Sequence, residues 1–161
     1  MKAHQVFSRM SEARTLELLT KVYEKLPGVY NQAVGAACVT LKARPQFMMK
    51  QSKETRAKFV RQALSRWAAA PIAEEVLAAY FLEVRRDLLT EWLDALGVEH
   101  ENGILKHDDP AEPPSEKIAD AIAKFRAGDG AEDRQLLLEA FAAQSAVEWP
   151  ALDALLGVEG A

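Results

Sequence analysis

One cysteine, Cys38, stands in 161 residues, so no disulfide can close within the chain. The start, Met1-Lys2-Ala3-His4-Gln5-Val6-Phe7, lacks the apolar run of an export signal, and the expected setting is a reducing cytoplasm. Tracts of about twenty apolar residues are absent, which excludes a spanning helix as the organising element. No glycine-rich phosphate loop, Cys-x-x-Cys pair or nucleophile elbow occurs, so the local signatures of nucleotide, thiol-redox and serine-hydrolase chemistry are missing. Eight glycines and seven prolines fall mostly between periodic segments, where they serve as connectors.

What is present is helical periodicity. The chain is 49% hydrophobic and long enough to bury one real core. The strongest stretch covers residues 72–98. At ~100° per residue, Leu77, Phe81, Val84, Leu88, Leu89, Trp92, Leu93 and Leu96 take up about half of one helix circumference. Pro71 suits its first turn, and Gly97 with Val98 suits its end. Further helices are expected over 11–26 behind Ser11, over 29–42, from Ser52 to Trp67, from Ser115 behind its own cap, over 131–146, and around Leu152–Leu156. Cys38 reads as a small core residue of the second of these. Phe47, Met48 and Met49 read as packed, and Trp67 as part of the stripe Ala57, Val60, Ala63 and Leu64. The expected fold is all-α, a bundle-like array of six or seven helices with one small β-hairpin after the central helix. Residues 1–107 form its core, 108–114 a proline-rich connector, and 115–161 a C-terminal helical piece docked on that core as one domain.

The hairpin is read from Asn102-Gly103, the dipeptide favoured in two-residue turns. It pairs His100 with Leu105 and Glu101 with Ile104, and opposes Glu99 to Lys106. His100 and His107 then share a face, and Asp108 follows. Two imidazoles and a carboxylate are ligands that zinc or iron accept. His100, His107 and Asp108 are therefore the candidate metal residues, with Val98 and Leu105 arguing that the same face simply packs.

Charge is uneven. Residues 42–66 carry eight Lys and Arg against Glu54 alone, and residues 67–161 carry seven against twenty Asp and Glu. Such asymmetry fits halves that attract each other, or a basic patch for nucleic acid. The basic residues scatter around their helix rather than forming a ridge with base-reading amides, so nucleic acid ranks third. Arg85 falls inside the apolar arc of the central stretch and is the buried-charge candidate, expected to meet a carboxylate or backbone carbonyls. The leading functional reading is a soluble helical interaction or scaffold protein without catalysis or cofactor, binding a protein partner or itself. The alternative is a metal-binding protein or metal-dependent enzyme using the hairpin.

Overall fold

The computed structural model describes residues 1–158. Within them lie ten α-helices and one two-stranded antiparallel hairpin, so the fold is an all-α array with a small β insertion. The helices are α1 Ala3–Arg9, α2 Glu12–Lys25, α3 Pro27–Leu41, α4 Pro45–Lys50, α5 Lys53–Leu64, α6 Ala70–Ala79, α7 Arg86–Leu96, α8 Ser115–Arg126, α9 Ala131–Ala142 and α10 Pro150–Leu155. The hairpin strands are β1 His100–Glu101 and β2 Ile104–Leu105. Contacts divide the chain into two compact units, Ala3–Val84 and Arg85 onward together with Met1–Lys2. No helix is long and apolar enough to cross a membrane.

Local chemistry explains most boundaries. Ser11 and Ser52 accept from the backbone N–H of Arg14 and Thr55, both at 3.1 Å, and so cap α2 and α5. Pro27, Pro45 and Pro150 open α3, α4 and α10, where a missing N–H costs nothing. Ser115 differs from expectation. It is the first residue of α8 and makes no capping bond, with Pro114 in the cap position.

In the N-terminal unit, α3 packs on α2, α5 and α6, and α1 packs on α5 and α6. The small residues of α3 permit this crowding: Ala33 and Ala37 are fully covered, and Cys38 is buried beside them. Arg61 ties α5 to the end of α1 by donating to the carbonyls of Met10 and Ser8, the second at 3.0 Å. A cation there also complements the negative end of the α1 dipole. In the C-terminal unit, α8 packs on α7, α9 and α10 around Trp92. The Trp92 ring meets Phe125 at 5.5 Å and Phe141 at 5.9 Å, and Phe141 meets Trp149 at 5.5 Å. Trp149 Nε1 donates to the Pro110 carbonyl at 2.9 Å, which fastens the proline connector.

Three further expectations are corrected. The continuous helix over 72–98 is two helices. The chain widens into a π-turn at Tyr80–Val84, and Arg85, at φ −123° and ψ 45°, leaves the helical region. Helix α7 then restarts, with Leu88 and Leu89 N–H both on the Arg85 carbonyl and Asp87 in the first turn. Apolar spacing on the two sides therefore belongs to separate stripes. Second, of the α4 apolar triplet only Met48 is buried, because consecutive residues on one helix turn cannot share a face. Third, Trp67 is 78% exposed, since Ser65 ends α5 and Arg66 is extended, so the helical phase is lost before the indole.

Candidate binding cleft

Helices α2, α3, α4 and α5 of the N-terminal unit enclose a cleft of about 160 Å³. Leu16, Leu19 and Ala57 form its apolar wall. Tyr23, near the end of α2, and Tyr30, in the first turns of α3, stand on either side of the Pro27-Gly28 corner. Their rings meet edge to face at 5.1 Å, and both line the cleft with Met49 of α4. Lys53 and Arg56, one turn apart on α5, bring positive charge to the same space. Among the described residues no carboxylate lines it.

The Arg56 guanidinium is poorly supplied with acceptors. Its Nη1 donates to the Met49 sulfur at 3.7 Å, and its Nε is buried with no acceptor among the described residues. Burial pushes the Tyr30 hydroxyl above the usual phenol range, while the Arg56 charge pulls the other way. Large apolar side chains of α2 and α4 are left partly uncovered. Tyr23, Phe47 and Met49 are 49%, 52% and 54% exposed, values that leave half of each side chain without cover. Within the unit, none of the eight Lys and Arg of 42–66 pairs with a carboxylate; Arg61 is held by backbone carbonyls instead.

The hairpin has the register read from sequence: His100 opposite Leu105 and Glu101 opposite Ile104. Asn102 at φ 51° and Gly103 at φ 89° supply the two left-handed positions that such a turn requires. His100 is fully engaged. Its Nε2 lies 2.8 Å from Asp94 Oδ1, and its Nδ1 accepts from the Gly103 N–H at 3.1 Å. These partners place the ring proton on Nε2 in the neutral form. His107 is exposed and faces Glu99 at 3.6 Å, and Asp108 is exposed on the bend beyond. Among the described residues no group of three or more His, Cys, Asp or Glu is placed to hold a metal ion.

Arg85 sits at the junction before α7, its side chain 25% exposed, with two carboxylates in reach. Asp87 pairs with it at 3.1 Å, and Asp133 of α9 forms a second ion pair. The Arg85 hydrogen bond, helped by the Leu88 N–H, holds the Asp87 carboxyl below the usual carboxylate range.

The more deeply buried arginine is one that periodicity passed over. Arg134 on α9 is 7% exposed. It forks onto Glu91 of α7 at 2.7 and 3.1 Å and donates to the carbonyls of Asp129 and Phe125 at 2.7 and 3.0 Å. Its guanidinium also lies over the Phe125 ring at 4.7 Å. The only local signal was Gly128-Asp129-Gly130 ahead of it, which reads as a loop. No known protein family, curated protein or solved structure matches the chain.

Proposed function

We propose that this chain is a soluble helical interaction protein of the cytoplasm, without a catalytic step, and that it binds through the α4 side of the N-terminal unit. The observation that carries this reading is the half-exposed pair Tyr23 and Met49 lining the cleft with Lys53 and Arg56, with Phe47 also exposed on α4. Apolar groups left in water next to cations that no carboxylate of their own unit neutralises fit an acidic, amphipathic segment of another protein. Methionine suits such a surface because its unbranched side chain adapts to the ring or chain it meets.

The test is titration of the full chain with an acidic amphipathic helical peptide and with its lysine-for-glutamate counterpart, followed by fluorescence anisotropy. The acidic peptide is expected to bind, and added salt to weaken it. The variant carrying Phe47→Ser and Met49→Ser is expected to lose about tenfold or more, the scale of one or two anchor side chains. Equal binding of both peptides, or of neither, overturns the reading. A concentration-dependent dimer abolished by the same variant would make the partner a second copy.

Lys42, Arg44, Lys50, Lys58 and Arg66 are exposed, and this observation supports a second reading, contact with nucleic acid. Its test is affinity for random duplex. Phosphate contacts give a steep loss with salt, and an affinity that ignores salt or is absent removes this reading.

A further inference from the structure

We propose that the cleft between α2, α3, α4 and α5 is a ligand pocket for a small aromatic monocarboxylate: one ring bearing a carboxylate on a short stem. The inference rests on the binding reading above and names the chemistry that the pocket itself selects. Three features point to it.

Size is the first. A space of about 160 Å³ is close to that of the roughly 150 Å³ apolar cavities known to accept benzene, so it matches one six-membered ring. Wall chemistry is the second. An edge-to-face tyrosine pair with a thioether beside it offers a third ring both favoured contacts of aromatic groups, ring edge on ring face and sulfur on ring edge. Leu16, Leu19 and Ala57 complete the apolar wall.

Charge is the third. Lys53 and Arg56 line the same space, and among the described residues no carboxylate does. The Arg56 guanidinium has five N–H donors, and among the described residues it donates to a single sulfur at 3.7 Å, a weak partner. A ligand carboxylate supplies the two oxygens that a guanidinium takes as a fork, and the flexible Lys53 ammonium adds a point charge from the more exposed rim. The ring then goes inward and the carboxylate outward, toward α5.

Such a group has two sources: a free aromatic acid, or the last residue of a protein whose chain ends in phenylalanine. The experiment separates them. Phenylacetate, 3-phenylpropionate and neutral phenylacetamide are titrated into the full chain by calorimetry, together with a short peptide ending in phenylalanine as the free acid and as the amide. Ultraviolet difference spectra of the tyrosines report whether the ring reaches Tyr23 and Tyr30.

The expected result is millimolar or tighter binding of the free acids with a tyrosine difference signal, and about tenfold weaker binding of the amide. Lys53→Gln, at an exposed position, is expected to weaken the acids about tenfold, and Arg56→Gln further, while phenylacetamide is unaffected by either. Binding of the peptide acid alone, with the same dependence on Lys53, assigns the pocket to a chain end and upholds the carboxylate chemistry. Acid and amide binding equally overturns the proposal, as does binding unaffected by Lys53→Gln, or no binding of any probe at high millimolar concentration. The acidic-helix titration with Phe47→Ser and Met49→Ser stands apart from these outcomes, because an internal acidic helix carries no terminal carboxylate. The two failures are therefore told apart.

Discussion

Arg134 and Glu91, forty-three residues apart, meet as a forked ion pair at 2.7 and 3.1 Å that fastens α9 to α7. The two ends differ in surroundings. The arginine side chain is 9% exposed, whereas the glutamate is 48% exposed. The guanidinium also holds the carbonyls of Phe125 and Asp129, at the end of α8 and in the following turn. One side chain thus joins three elements of the C-terminal unit.

Removing it is expected to be expensive. Arg134→Ala leaves two carbonyls short of a donor, while the half-exposed Glu91 can rehydrate, so the loss is about 2–4 kcal/mol by urea unfolding. Glu91→Ala is expected to cost less, and Arg134→Lys to recover little, because an ammonium cannot fork onto Glu91 and reach both carbonyls. Gly128→Ala is expected to act on the same contact, since a Cβ at Gly128 would run into the guanidinium. Wild-type midpoints for both Arg134→Ala and Gly128→Ala would show that the contact contributes nothing.

Gly35 is the opposite case. It lies mid-helix in α3, is exposed, and a Cβ there would meet nothing within 4 Å. Gly35→Ala is therefore expected to raise stability by about 0.5–1 kcal/mol, the helix-propensity difference. A fall in the unfolding midpoint would mean that the α3 surface is covered in solution, for instance by a partner copy.

The Arg85–Asp87 pair predicts a pH dependence. The folded-state pKa of Asp87 is depressed, first by Arg85, so its stabilisation is present above the ordinary carboxylate range. It is lost as pH falls through that depressed value. Wild type and Asp87→Asn should differ near neutrality and converge in strong acid, below about pH 4. A gap unchanged down to pH 2 would sever this pair from acid stability. Tyr30 acts at the other extreme: its folded-state pKa is raised by burial, so its share of stability is lost as pH climbs beyond about 10.

The hairpin predicts a metal experiment. With Nε2 of His100 on Asp94 and Nδ1 on the Gly103 N–H, the ring acts as a clip between α7 and the turn. Added zinc or nickel is expected to leave the thermal midpoint unmoved, and His100→Ala to lower it. A midpoint raised by metal in the wild type, and not in the His100→Ala, His107→Ala double variant, would return His100, His107 and Asp108 to the role of ligands.

Where one turn of chain decides the outcome, the sequence was sufficient. Asn102-Gly103 set the hairpin register, because few residues besides Asn and Gly enter the left-handed region that its turn requires. Gly97-Val98 and Gly157-Val158 close two helices identically. Val98 and Val158 N–H reach back to the carbonyls of Leu93 and Asp153, both at 3.0 Å, as their matching sequences imply. The helical class follows from periodicity for the same local reason.

Tertiary structure decided the rest. Whether a helix passes through residues 80–85 depends on what each side packs against, and the apolar spacing runs on unbroken through a π-turn that shifts its phase. Phe47, Met49 and Trp67 have the composition of core residues, but their exposure is set by which helices reach them. The cleft was illegible for that reason. Tyr23, Tyr30, Met49 and Arg56 each read as an ordinary member of an amphipathic helix, and only the packing of α2, α3, α4 and α5 turns them toward one space. Arg134 and Glu91 were hidden likewise, since a charge can be buried only where a distant segment brings its partner.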